Sequence, residues 1–142
     1  MASFEFWQKW LLSVCCLFII FGIAVALLSW SPLFYLLNKP ADDLFWPGST
    51  PDVGTQQLRL WFSGVLGGTI AGWGLTLAFL VNGPFKRKEK WSKDAIVAGL
   101  ALWFVLDTFM SLYTQAYFNV VFNVLAIAIA GLPLAMTSKE FL

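Results

Sequence analysis

Four long apolar runs limit this chain to very few folds. They lie within 11–37, 58–81, 95–115 and 118–136, and each is long enough to cross the ~30 Å hydrocarbon core of a bilayer as a helix. Inside lipid every backbone N–H and C=O group must find a partner within the protein, which restricts spanning segments to helices and closed barrels. Runs of this length favour helices. The sequence therefore predicts an all-α fold, namely an integral membrane four-helix bundle.

We expect a single transmembrane domain over 1–142, with its helix boundaries set by turn signals. The predicted helices cover about 8–36, 57–82, 94–115 and 118–136, with the first bent or ended near Pro32. A polar stretch rich in proline and aspartate predicts an outer loop over 38–56, and Thr50 or Thr55 is the expected N-cap of the second helix. Pro84 ends that helix and opens a basic loop over 83–93.

The basic loop also predicts orientation. It carries four lysines and one arginine over 86–93 against one glutamate, and short basic loops stay on the cytoplasmic side of a membrane. With four crossings, both termini then lie on the cytoplasmic side, and the loop at 38–56 lies outside. The same charges could attract anionic lipid or a cytosolic partner, although orientation alone is a sufficient reason for them.

Two parallel ridges of small residues mark the second helix. One ridge consists of Gly64, Gly68 and Gly72. The other, one residue earlier at each position, consists of Ser63, Gly67 and Ala71. Faces of this kind let a second helix backbone approach closely. The first helix offers a small-residue face that includes Gly22 and Ala26, which makes packing within the chain one alternative. The other is a contact with a second copy or with another membrane protein.

A carboxyl group lies inside the third apolar run. Asp107 is eight residues from the outer end of its helix, about 12 Å deep. An acid at that depth costs roughly 2.5–3.5 kcal/mol on insertion scales and points into the protein. With a turn near 116–117, Asn119 and Asn123 of the fourth helix reach similar depth. The candidate intramembrane polar cluster comprises Asp107, Ser111, Asn119, Asn123, Arg59, Trp103 and Trp73. Arg59 could reach inward to Asp107 or extend outward to the membrane surface.

Composition argues against several other classes. Histidine is absent, which removes the commonest general base and the commonest metal ligand. The two cysteines, Cys15 and Cys16, are adjacent within an apolar run and diverge on a helix, so we read them as packing residues. A net charge of +1 gives no argument for nucleic acid. We expect no enzyme, cofactor or metal site, and we expect membrane lipid as a partner, with a homo-oligomer or a larger membrane complex possible.

Several motifs add a resemblance. They are GVLGGTIAGWG at 64–74, PFKRKEKW at 84–91, WFVLDTFMS at 103–111, NVVFN at 119–123 and GLPL at 131–134. This pattern resembles an uncharacterised group of small bacterial four-helix membrane proteins over roughly 58–134. The resemblance implies a bacterial inner-membrane location and a four-helix architecture. It implies no activity.

Two functional hypotheses follow. The first is a structural or accessory interaction subunit, or a homo-oligomer, packed through small-residue faces, in which the polar cluster holds helices together at ~0.6–2 kcal/mol per hydrogen bond. The alternative is a proton- or cation-coupled carrier, a channel component or a lipophile-binding protein centred on Asp107. Access of water or ligand to Asp107 separates the two.

Overall fold

The computed structural model describes residues 3–141, and in this range the chain is all-helical. The α-helices are α1 (Phe4–Leu28), α2 (Tyr35–Phe45), α3 (Val53–Leu80), α4 (Lys90–Tyr113) and α5 (Tyr117–Met136). Short 3₁₀ turns cover Pro32–Phe34 and Ser138–Phe141, and a π-helical turn covers Val81–Phe85. The predicted all-α class is confirmed.

Four of the helices are long and apolar enough to cross a membrane. The candidate spans are Phe4–Leu28, Val53–Phe85, Lys90–Tyr113 and Tyr117–Met136. Large apolar side chains on these helices are exposed, for example Leu106 and Phe109 of α4. Exposed apolar surface on this scale suits a lipid environment and not water. The chain therefore has the character of a multi-pass membrane protein.

The predicted bounds of the first helix and of the outer loop were wrong, although the break expected near Pro32 is present. The helix expected to reach residue 36 ends at Leu28, and α2 occupies Tyr35–Phe45, where a loop was expected from residue 38. Pro32 cannot donate a backbone hydrogen bond, which explains the break before it. Pro40 lies inside α2 and removes one helical bond, and the exposed pair of Lys39 with Asp43 at i,i+4 over 2.7 Å offsets little of that loss. A fifth, shorter helix results.

The start of α3 also differs from the prediction. Neither Thr50 nor Thr55 is the N-cap; Asp52 is, because its Oδ1 accepts the backbone N–H of Thr55 at 3.1 Å. The hydroxyl of Thr55 donates to Asp52 Oδ2 at 2.7 Å. These side-chain and backbone hydrogen bonds from Thr55 hold the pKa of Asp52 below its ordinary value. The helix begins at Val53, four residues earlier than expected.

The chain divides into two compact units. One contains the described parts of Met1–Cys16 and Leu75–Leu142, and the other is Leu17–Gly74. In the first unit Phe85 is fully buried, with ring centroids 5.8 Å from Phe4 and 4.8 Å from Phe141. This aromatic cluster lies beside the π-helical turn. Pro84 falls within that turn and has no N–H to give, so the α-helix widens there before it ends.

Charges in the basic loop are largely paired within the first unit. Arg87 donates to Glu89 at 2.7 Å, Lys88 to Glu140 at 2.7 Å, and Lys90 to Asp94 at 2.7 Å. The hydrogen bond from Arg87, followed by one from the Trp91 indole, holds the pKa of Glu89 below its ordinary value. These pairs are exposed, so each adds little to stability.

Candidate functional site

The α4–α5 hairpin brings together four members of the predicted polar cluster, which are Asp107, Ser111, Asn119 and Asn123. After Tyr113 the backbone N–H of Ala116 donates to the carbonyl of Ser111 at 2.8 Å, and that of Gln115 to Leu112 at 3.1 Å. These two bonds form a Schellman motif, with Gln115 at φ 60° in the left-handed position that glycine usually fills. The turn occupies 114–116, close to the expected 116–117. A turn this tight makes α4 and α5 antiparallel neighbours.

Asp107 is the acceptor at the centre of this hairpin. Its Oδ1 accepts the side-chain amide of Asn119 at 2.6 Å and that of Asn123 at 2.9 Å. Ser111 Oγ donates to the backbone oxygen of Asp107 at 2.7 Å and lies 3.2 Å from Oδ1. Asn123 is fully buried, and Asp107 is half-buried. The carboxyl group therefore holds α5 against α4 through two asparagine side chains.

A second layer of bonds fixes the two asparagines. Asn119 also donates to Ser111 Oγ at 2.8 Å, and Asn123 to Thr108 Oγ1 at 3.3 Å. Sequence reasoning missed Thr108, whose position directly after Asp107 was the available signal. The buried Oδ1 of Asn123 has no hydrogen-bond partner among residues 3–141. A buried acceptor without a hydrogen bond costs free energy. A water molecule, a proton donor or a cation could bind to it.

Arg59 has a partner in the Leu17–Gly74 unit. Its Nη1 donates to Asp42 Oδ1 at 2.6 Å, and the two side chains are 31% and 33% exposed. The guanidinium carbon also lies 5.6 Å from the centroid of the Trp46 ring. Sequence reasoning missed Asp42 because it lay in the segment expected to be a loop.

The two predicted tryptophans lie in different units. Trp73 stacks on Phe18 in the Leu17–Gly74 unit, with centroids 5.9 Å apart and planes 12° from parallel. Trp103 lies in α4, one turn before Asp107, and is half-buried. That their indole N–H groups serve the Asp107 cluster stays a prediction.

The two small-residue ridges of α3 behave differently. A Cβ built on Gly22 of α1 would lie 2.5 Å from the amide nitrogen of Ala71 and 2.6 Å from the carbonyl oxygen of Gly67. The ridge containing Gly67 therefore packs directly on the α1 backbone. A Cβ built on Gly64, Gly68 or Gly72 meets no atom of the described chain within 4 Å, apart from the backbone of its own helix. The second ridge therefore does not pack on α1, and packing elsewhere in the chain or contact with another chain both stay predictions.

No family model, curated protein or solved structure matches this chain. Among residues 3–141, no group of three or more His, Cys, Asp or Glu side chains is placed to hold a metal ion.

Proposed function

We propose that this chain is a structural or accessory interaction subunit of the bacterial inner membrane, or a homo-oligomer there. Its four long helices cross the bilayer as one four-helix bundle in a single transmembrane domain. Both termini and the loop at 86–93 lie on the cytoplasmic side, and α2 lies at the outer surface. The proposal assigns no reaction, cofactor or nucleic-acid partner to the chain.

The main support for this proposal is that the side chain of Asp107 is hydrogen-bonded to the neighbouring helix. Its Oδ1 already accepts Asn119 at 2.6 Å and Asn123 at 2.9 Å. Hydrogen bonds between membrane helices contribute ~0.6–1.7 kcal/mol each, enough to fix a hairpin. A carboxyl group used in this way serves as an interhelical contact, which fits a packing role better than a transport role.

The ridge of α3 that α1 does not cover supports the interaction part of the proposal. Gly64 and Gly68 leave room for an approaching backbone, and faces of this kind bring membrane helices together. The occupant would be a second copy of the chain or a helix of another membrane protein.

Native mass spectrometry after gentle detergent extraction tests this proposal. It reports copy number and co-purifying chains together, and we expect a discrete oligomer or a defined complex. In the Gly68→Leu variant we expect that assembly to dissociate while the single chain stays folded. Monomers without associated chains in the unmodified protein would contradict the proposal.

One observation favours a second candidate, a proton- or cation-coupled carrier or a lipophile-binding protein centred on Asp107. The buried Oδ1 of Asn123 has no hydrogen-bond partner in residues 3–141, and it belongs to the amide that donates to Asp107. A transported proton donor or cation could occupy such an acceptor. Under this alternative, replacing Asp107 by asparagine abolishes a pH-dependent flux without affecting folding.

A further inference from the structure

An open cavity lined by both polar and apolar side chains lies within the Leu17–Gly74 unit, between the end of α1, α2 and the first turns of α3. Its volume is about 550 Å³, within the range of small-molecule sites. Arg59 and Asp42 are its charged lining residues, and Ser31, Asn38 and Gln56 are among the neutral polar ones. Arg59 was predicted to be a member of the Asp107 cluster, and here it lines this cavity together with Asp42, its hydrogen-bond partner.

We propose that this cavity binds the headgroup of a zwitterionic phospholipid, with the phosphate on Arg59 and the ammonium on Asp42. The inference goes beyond the function proposed above, because neither an accessory role nor a role for Asp107 requires it.

Charge balance is the first argument. The lining carries one positive and one negative side chain, which are 31% and 33% exposed. A simple anion bound to the remaining N–H groups of Arg59 would place two negative charges beside one positive charge in a half-buried site. A ligand with a phosphate and an ammonium compensates both groups at once. The cavity therefore fits a zwitterion better than it fits a free anion or a free cation.

The bonding capacity of the pair is the second argument. The bond from Arg59 to Asp42 joins Nη1 and Oδ1, whereas a guanidinium has five N–H donors and a carboxylate has two accepting oxygens. A guanidinium matches the geometry of a phosphate closely. Arg59 and Asp42 can therefore bind a ligand through their remaining N–H groups and oxygen while they stay hydrogen-bonded to each other.

Ser31 supplies a further donor. It lines the cavity, and its buried Oγ has no hydrogen-bond partner within residues 3–141. A buried hydroxyl without a partner is uncommon in folded proteins. Rotation of the Ser31 side chain would let this hydroxyl donate to a phosphate oxygen, which would give the group the partner it lacks.

The position of the cavity indicates an amphiphile. Arg59 is the seventh residue of α3, about 9 Å along the helix from its start, which corresponds to headgroup level if Val53–Phe85 spans the bilayer. Trp30 and Leu60 line the same cavity and are 70% and 46% exposed. An acyl chain could leave the cavity along this apolar surface while the headgroup stays among the polar side chains.

The test uses the full chain, delipidated in dodecyl maltoside. Native mass spectrometry measures the apparent Kd for dioleoylphosphatidylethanolamine, for dioleoylphosphatidylglycerol, which lacks the ammonium, and for soluble phosphoethanolamine. We expect phosphatidylethanolamine to bind at least about tenfold more tightly than either of the others, since one charge-assisted contact is worth roughly that factor.

Two variants and a matched control locate the site. Arg59→Gln and Asp42→Asn should each weaken phosphatidylethanolamine binding about tenfold. Asp43→Asn should leave it unchanged, because that carboxylate is on the same helix but pairs with Lys39 and does not line this cavity. Thermal unfolding confirms that each variant is folded, and Asp42→Asn alone suffices if Arg59→Gln does not fold.

Three results would overturn the proposal. They are equal binding of the two lipids, phosphatidylethanolamine binding that neither variant weakens, and binding of soluble phosphoethanolamine as tight as that of the lipid. The last result would identify a site for a water-soluble zwitterion instead of a membrane lipid.

Discussion

Gly22 of α1 and Gly67 of α3 meet backbone to backbone. A Cβ added to Gly22 would lie 2.6 Å from the carbonyl oxygen of Gly67, a distance that real Cβ atoms essentially never show. Because the neighbouring atoms are backbone, neither helix can yield by turning a side chain. The approach of α1 to α3 within the Leu17–Gly74 unit therefore requires glycine at both positions.

This contact gives a prediction with a built-in control. Gly67→Ala should destabilise the protein by about 1–3 kcal/mol or more, because the added methyl group overpacks two backbones. Gly68→Ala places the same methyl group one residue later, where the described chain has no atom within 4 Å outside that helix. Its effect should be within ~1 kcal/mol, the difference in helix propensity between the two residues. Thermal unfolding in detergent compares them, and equal stabilities would contradict the packing described here.

The α4–α5 turn gives a stabilising prediction. Gln115 adopts φ 60°, a conformation that costs about 1 kcal/mol for a residue with a Cβ and nothing for glycine. Gln115→Gly should therefore raise the free energy of unfolding by about that amount. Thr114→Gly is the control, since Thr114 has φ −90° and its replacement should destabilise. If Gln115→Gly lowered the unfolding temperature, the assigned turn would be incorrect.

The N-cap of α3 predicts a pH dependence. The hydrogen bonds from Thr55 lower the pKa of Asp52 in the folded protein relative to its ordinary value of 3.8. The stabilisation of α3 by the ionised Asp52 cap is therefore complete at pH values above that ordinary pKa. It is lost as the pH falls through the lower pKa of the folded protein. In that acidic range the backbone amides of 53–56 should exchange faster than the pH dependence of unstructured amides alone would give.

Two Asp52 variants isolate this effect. Asp52→Asn keeps an accepting oxygen without the charge, so its exchange should lack the acid-dependent change. Asp52→Ala should exchange faster at every pH. Identical profiles for the unmodified protein and Asp52→Asn would show that the carboxylate does not cap the helix.

The proposed orientation predicts a labelling pattern. Single cysteines at positions 48 and 88, in a background without Cys15 and Cys16, are exposed to a membrane-impermeant maleimide added to intact cells. We expect labelling at position 48 only, because basic loops stay cytoplasmic. Labelling at position 88 and not at position 48 would reverse the assignment.

The sequence predicted the long helices well because their apolar length is a local property. It did not predict α2, since Pro40 and the two aspartates beside it are typical of a loop, and the pairing of Lys39 with Asp43 is a property of the folded helix. The sequence also did not predict the partner of Arg59. The register between α2 and α3 places Arg59 Nη1 2.6 Å from Asp42 Oδ1, and residue spacing alone does not determine that register. Both glycine ridges looked alike, and only the packing of α1 distinguishes them.

The bonds between α4 and α5 were easier to anticipate. Asp107, Asn119 and Asn123 lie at matching distances from a tight turn, so antiparallel geometry alone brings them to one depth. Residue spacing could not predict that both asparagines donate to a single oxygen of Asp107. Nor could it predict that Oδ1 of Asn123 lacks a hydrogen-bond partner among residues 3–141. Those details depend on side-chain rotamers.

Asp107→Asn tests the central claim most directly. Asparagine keeps an oxygen that can accept Asn119 and Asn123, but it cannot ionise. The measurement is pH-dependent proton or cation flux into proteoliposomes made with the unmodified protein or with the variant, after matched unfolding temperatures and matched partner retention have been established. If Asp107 holds α4 to α5, the two proteins should give the same flux at every pH. A normally folded Asp107→Asn protein that had lost a pH-dependent flux would contradict the account and make Asp107 a transport site.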